Sequence, residues 1–271
     1  MISFEICWAS QCITGRRGLI ESEGVKVLVS IITIVRNAES HVERTIRSVL
    51  SQTDQFINYV VIDGASTDGT MSVIDRYRDR IGTVLSEPDA GISDAWNKGL
   101  RMAKGDVIGL LNAGDEYAPD AAAQAAKALA SGLDFVYGDT DLVAEDGSVL
   151  RANRGKFSLW YYSAGFGFYH PSCFATRALY DRVGEFNPRL RYAMDSDWIA
   201  RAAMSGARFG HAPVQARMVD GGISVKSRFL AYGEHLQALQ NAGAGAGVVY
   251  GSMLMTGLRG LARAGLRGQI G

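Results

Sequence analysis

Carboxylates stand in this sequence where apolar runs end and polar stretches begin, which in an α/β protein is where side chains can reach a ligand. Asp63 follows the run Tyr59–Ile62 (YVVI), and Asp115 comes four residues after Val107–Leu111 (VIGLL), in NAGDEY. Asp195 and Asp197 open MDSDWIARAAMSG, and EPDAGISDAWNKG (87–99) holds Asp89, Asp94, Asn97 and Lys98. A carboxylate at such places can accept hydrogen bonds, hold a hard divalent cation or take up a proton. The stretch Glu87–Pro119 organises the rest, with an acidic loop, an amphipathic helix, a buried strand and a polar strand end carrying Asn112 and Asp115. In α/β sheets, ligands bind beyond the carboxyl ends of strands. A lone carboxylate there suits a Mg²⁺-type ion that also holds a substrate phosphate. Asn112-Ala113-Gly114-Asp115 is equally good turn chemistry, so both readings stand at this point.

The elements that must position these residues follow from periodicity. Val27–Ile34 (VLVSIITI) is nearly continuous and β-branched, as a strand buried on both faces should be. A helix is predicted over Glu39–Gln52, with Val42, Ile46, Val49 and Leu50 on one face. Asp63 ends the second strand, and DGASTDGT (63–70) opens another helix, with Ser66 or Thr67 as cap and Asp68 at its positive end. Thr83–Ser86 is a third strand. This alternation predicts a parallel, doubly wound sheet. The rhythm then changes. After an alanine-rich helix (about Asp120–Ala130) come a strand at Phe135–Tyr137 and a hairpin turning at Asp146-Gly147. A Gly- and aromatic-rich loop (Trp160 to Tyr169), a helix from about Arg177 and the Asp195 helix ended by Gly206 follow. Short strand pieces are expected near Phe209 and at Ala216–Val219, before the Gly221-Gly222 turn.

Composition excludes several classes. The 271 residues suffice for one large α/β domain or two small ones. Lys plus Arg equals Asp plus Glu, 28 each, so nucleic acid is not expected as a partner. Cys7, Cys12 and Cys173 lack metal spacing and fit a reducing cytosol. No apolar run is long enough for a membrane span, and the N-terminus lacks the order of a signal peptide. His41, His211 and His235 share no metal spacing and read as structural.

Five ordered motifs carry a resemblance: VSIIT…RN at the first strand, IDGASTDGT (62–70), EPDAGISDAWNKG (87–99), GDVIGLLNAGDEY (105–117), and the Met194–Asp197 pair. HPSCFATRALYDRVGEFN (170–187) and GGIS (221–224) add to it. From Val27 to Ser224 the chain resembles a family-2 inverting glycosyltransferase of the bacterial branch that builds O-antigen, capsule or exopolysaccharide. The resemblance implies an α/β GT-A fold, with a Rossmann-like nucleotide-sugar half (27–140) whose mixed sheet continues into a smaller acceptor half (141–241). Residues 1–26 are then an extension and 242–271 a tail. It implies a cytoplasmic hexosyltransferase, a UDP-sugar as donor, a saccharide or lipid-linked saccharide as acceptor, and a divalent cofactor, Mg²⁺ or Mn²⁺. By motif match, Asp115 is the metal ligand. Asp63, Asp89, Asn97 and Asn112 belong to donor binding, Asp195 is the base, and His170 and Asp197 lie on the acceptor side. Asn112 and Gly114 depart from the family pattern, where acids are common, and so does Met194. On a helix, Asp195 and Asp197 point about 200° apart, so only one can face the reacting carbon.

Two other classes fit parts of the pattern. A nucleotidyltransferase acting on sugar phosphates should place a Gly-rich basic loop after the first strand, where this chain has IVRNAES. A non-catalytic carbohydrate-binding protein would not require Asp115 and Asp195 together. The lack of a QxxRW-like motif argues against a processive synthase. In the tail, Leu254, Leu258 and Leu261 share one helical face, Arg259, Arg263 and Arg267 line another, and no acid follows Gly243. Such a stripe suits an anionic membrane surface at the cytoplasmic face, at about 1 kcal/mol per basic residue. Gly257, Gly260, Gly265 and Gly268 weaken any isolated helix there by roughly 1 kcal/mol each.

Overall fold

A computed structural model describes residues 27–53, 56–158, 167–222, 227–251 and 253–254. The predicted first half forms as a parallel array. Strands β1 (Leu28–Val35), β2 (Phe56–Asp63), β3 (Thr83–Ser86) and β4 (Val107–Asn112) lie in the order β3-β2-β1-β4. Alternate side chains of β1 enter two cores. Ile32 and Ile34 face α3 (Ile92–Met102), while Val29, Ile31 and Val35 face α1 (Val42–Leu50), α2 (Thr70–Asp75) and α4 (Ala121–Ala130). This two-sided burial is why the strand reads as an unbroken apolar run.

Beyond β4 the sheet turns mixed. Strand β8 (Cys173–Thr176) pairs antiparallel with β4 and with β6 (Phe135–Val143), and β9 (Phe209–Val219) runs parallel to β6. The two-residue β5 (Glu116–Tyr117) pairs with β9, and β7 (Val149–Asn153) forms the hairpin with β6. The hairpin turns at Asp146-Gly147 as expected, with Gly147 at φ 84°, a left-handed conformation that glycine takes without strain. Helices α5 (Arg177–Val183), α6 (Met194–Met204) and α7 (Arg228–Asn241) follow, with a further helical stretch over 246–251.

The sheet is parallel over β3-β2-β1-β4 and mixed beyond, as the resemblance implied. Two expectations are corrected. Neither Ser66 nor Thr67 caps α2, whose N-cap is Gly69 with no side-chain cap. The pieces near Phe209 and Val219 are one eleven-residue strand. It alternates cleanly, with Ala212, Val214 and Ala216 buried, but Pro213 sits where the register against β6 shifts between Tyr137 and Asp139. A bulge absorbs a residue that donates no hydrogen bond, so the strand continues through it. Gly138 lies at that shift, and a Cβ there would come within 2.1 Å of the Val214 carbonyl.

Candidate active site

The register puts the candidate residues along one edge. Asp63 pairs with Val35 and with Ser86, and Asn112 pairs with Ile34, so these strand ends are level. Because β8 runs the other way, its start, and His170 just before it, reach the same edge. So does Val219, the last residue of β9.

The loops after β1 and β2 are tied to each other. Asn37, at φ 49°, accepts from the Thr67 amide at 2.8 Å and donates its own N–H to Ser66 Oγ at 2.8 Å. The Ala38 amide donates to Thr70 Oγ1 at 2.8 Å, and Glu39 accepts from the Gly69 amide at 3.1 Å. Asp68 accepts from the Thr70 amide at 3.0 Å, as expected of an acid at a helix start. Asp63 is fully buried and accepts from the Ser66 amide and hydroxyl and from Ser86 Oγ. Its carboxylate is enclosed, and its visible task is to shape the DGAST loop. Gly64 lies against Asp89, where a Cβ would come within 2.0 Å of Oδ2. Arg36, which sequence reasoning passed over, reaches Asp89 at 3.9 Å and is otherwise exposed.

The EPD loop is fixed from α3. Lys98 donates to the Pro88 carbonyl at 2.8 Å and ion-pairs with Glu87 at 2.9 Å and Asp94 at 3.1 Å. Asp94 accepts from the Ala90 amide at 3.1 Å, and this bond, with Lys98, holds its carboxyl below the usual range. Asn97 uses both ends of its amide on Phe186, donating to the carbonyl at 2.9 Å and accepting from the N–H at 2.8 Å. The buried Asn97 thus joins α3 to the segment before α6.

Asp115 follows Gly114, whose φ of 106° turns the chain. Thr45 of α1 accepts from the Gly114 amide and donates to the Asp115 carbonyl, both at 2.8 Å. The buried Asp115 carboxylate accepts from the Val219 amide at 3.2 Å. Burial pushes its pKa up to about 7, against the opposing hydrogen bonds from Val219 and Asn112. Among the described residues no three His, Cys, Asp or Glu gather into a cation cage. A divalent ion here fits only as a partner of one desolvated carboxylate completed by substrate oxygens, a coordination that Mg²⁺ accepts. Asn112, exposed beside Asp115, is the other oxygen donor at this strand end.

On α6 the two aspartates separate as predicted. Asp197 is buried in an ion pair with Arg201, whose Nε and Nη2 both reach Oδ2, at 2.9 and 2.8 Å, and Arg201 also holds the Val183 and Glu185 carbonyls. Asp195 is half-buried, accepts from the Ser196 amide at 2.7 Å and lines a cavity with His170, Cys173, Tyr180 and Trp198. The N-cap is Ala193, so Asp195 lies inside the first turn rather than at its cap. His170 packs on Trp96, with ring centroids 5.6 Å apart. Burial holds its pKa below the ordinary value while the charge of Asp195 pulls it up, so the imidazole is neutral at pH 7. Ser224, from the GGIS motif, and residues 159–166 of the aromatic loop lie outside the described residues, as does the tail from 255.

Known proteins place this arrangement. An uncharacterized glycosyltransferase of Mycobacterium tuberculosis is 34% identical over 186 residues, 65% of this chain and 69% of that protein. The putative teichuronic acid biosynthesis glycosyltransferase TuaG of Bacillus subtilis is 32% identical over 46% of this chain and 51% of its own. Among solved structures, the mannosyltransferase PcManGT of Pyrobaculum calidifontis, in complex with GDP-Man and Mn²⁺, superposes with TM-score 0.61 at 20% identity, over 88% of this chain and 76% of that one. Its fold is of the GT-A type, and the mixed sheet described above is the same architecture. Residues 30–192, more than half of the chain, match the family described as Glycosyl transferase family 2. The chain is therefore a family-2 glycosyltransferase on a GT-A scaffold.

Proposed function

We propose that this enzyme moves one hexose from a nucleotide-sugar, a UDP-sugar first among the candidates, to a saccharide or lipid-linked saccharide, with inversion, in cell-surface polysaccharide synthesis. The observation that carries the reading is the division of labour on α6, where Asp197 is consumed by Arg201 while Asp195 faces a cavity beside a neutral His170. An acceptor hydroxyl entering there forms its bond to the anomeric carbon as its proton passes to the Asp195 carboxylate. The bond from that carbon to the diphosphate breaks on the opposite face, which inverts the centre. His170 can donate one hydrogen bond and accept another, and so orients the acceptor hydroxyl.

On the donor side, the paired loops at Asn37 and Ser66, with Gly64, Asp89 and Arg36, form the wall offered to the nucleoside. Asp63 keeps that wall in shape. Asp115, with Asn112 beside it, would hold a Mg²⁺ or Mn²⁺ ion, which when bound offsets charge growing on the leaving diphosphate. TuaG supports the polysaccharide context by its name, and PcManGT supports a nucleotide-sugar with a divalent ion by its complex. We place the enzyme at the cytoplasmic face of a membrane, where a lipid-linked acceptor is met. No helix among the described residues is long and apolar enough to cross a membrane. Contact would rest on exposed Tyr250, Met253 and Leu254 and on the arginines that follow.

The test is a thermal-shift panel of UDP-, GDP- and dTDP-sugars with and without Mn²⁺, followed by product analysis of the stabilising donor. Stabilisation by one nucleotide class, together with its turnover, is expected. Stabilisation without any turnover in wild-type protein would instead fit a binding module.

A further inference from the structure

Three consecutive backbone N–H groups lead into α6, those of Arg191, Tyr192 and Ala193, and all three donate to one side chain. Glu234 of α7 accepts from Arg191 at 3.1 Å on Oε1 and at 3.0 Å on Oε2, and its Oε2 also accepts from Tyr192 at 2.6 Å and from Ala193 at 3.0 Å. The bonds span 41 to 43 residues of sequence, so no local turn creates them. Helix α7 is held firmly enough to act as the anchor, with His235, Ala238 and Leu239 buried. Ala193 is the N-cap of α6, and Asp195 stands two residues further on.

The chemistry of the clamp is selective. Every one of these bonds brings an N–H donor to Glu234, and Oε2 takes one from each of the three residues, so an acceptor must stand at that position while an amide side chain would turn its NH₂ toward the Arg191 N–H at the other. The negative charge also sits at the positive end of α6. The chain that carries Asp195 is thus fixed immediately upstream by a residue that takes no part in the cavity.

We propose that Glu234 is a positioning residue for the transfer reaction, which holds residues 191–193 so that Asp195 faces His170 and the attacking oxygen. The inference rests on Asp195 being the base. Misplacement of such a group by about 1 Å costs on the order of 10²-fold in rate.

The experiment uses the full chain with UDP-N-acetylglucosamine and GDP-mannose, keeping whichever it hydrolyses, with water in place of the acceptor. Glu234→Ala should lower kcat by about 10- to 100-fold while KM and donor affinity by calorimetry change less than about twofold. Amides 191–193 should exchange with deuterium faster, with the β1–β4 sheet unchanged. In the Asp195→Asn background, Glu234→Ala should cost nothing further, since residues acting as one unit are not additive. Glu234→Gln, which keeps the length and one acceptor oxygen, should lose less than Glu234→Ala and stands in for it if the alanine variant does not fold. Unchanged kcat in these variants, or losses that multiply in the double variant, would overturn the proposal. Wild-type turnover in Asp195→Asn alone would remove the base assignment and this inference with it, a result read without any Glu234 variant.

Discussion

At the scale of single residues, two aspartates two positions apart on α6 have opposite fates, and the contrast makes a sharp prediction. Asp195→Asn should lower transfer by about 10²–10⁴-fold, the usual contribution of a positioned acid–base group. Nucleoside diphosphate affinity should hold, because Asp195 lies off the donor wall. Asp197→Ala should act on stability instead, costing roughly 1.5–3 kcal/mol as Arg201 loses a charged partner. Kinetics and thermal melts of both variants check this, and collapse of turnover in Asp197→Asn with normal Asp195→Asn would move the base two residues on. Asp115 is read through pH. Its folded pKa of about 7 exceeds that of the unfolded chain. In EDTA its contribution is therefore complete at low pH and falls away as pH rises from about 4 through 7. Asp115→Asn should flatten that decline, by on the order of 2–4 kcal/mol between the ends of the window. Asp115→Ala should also abolish the Mn²⁺-dependent part of donor binding in calorimetry. Equal nucleotide affinity with EDTA, in wild type and variant alike, would take the ion away from this residue.

At the scale of elements, the parallel half was legible because β1, β2 and β4 are largely buried on both faces and announce themselves by composition. Helix α6 was legible for the same reason, since Met194, Trp198, Ile199 and Ala202 mark its core face. What escaped were relations rather than segments. Lys98 is one example, since nothing local in the sequence reveals that it folds back onto Glu87 and Pro88. Glu234 acts across more than forty residues, a distance at which sequence pattern carries no geometric information. Strand β9 was cut in two because proline normally interrupts a ladder, and only its partner β6 shows that a register shift accommodates it. Gly138 is the matching half of that device. Gly138→Ala should force the two strands apart and destabilise the fold by about 1–3 kcal/mol or more. A melting temperature lowered by several degrees is expected, and an unchanged one would mean that the strands yield freely there.

At the scale of the molecule, the C-terminal region joins the fold before it leaves the described residues. Val249 is buried against the same core as Leu239, whereas Tyr250, Met253 and Leu254 are exposed. A cut at residue 241 would therefore damage packing as well as remove the tail, so substitution is the cleaner test of membrane contact. The variant Arg259→Gln/Arg263→Gln/Arg267→Gln should float less than wild type with anionic liposomes and equally little with neutral ones. Equal flotation on anionic vesicles would leave the arginine stripe without a membrane role.

The proposed donor and acceptor sides are not separate bodies joined by a linker, because β8 is hydrogen-bonded to β4 on one edge and to β6 on the other. A hinge between them would have to tear that strand from one neighbour. On the proposed assignment, the span from the diphosphate side to Asp195 is then a fixed gauge, and opening for substrate falls to loops. Changing which acceptor fits is then a matter of loop replacement on a rigid frame, and slow product release should respond to loop variants rather than to solvent viscosity acting on whole lobes.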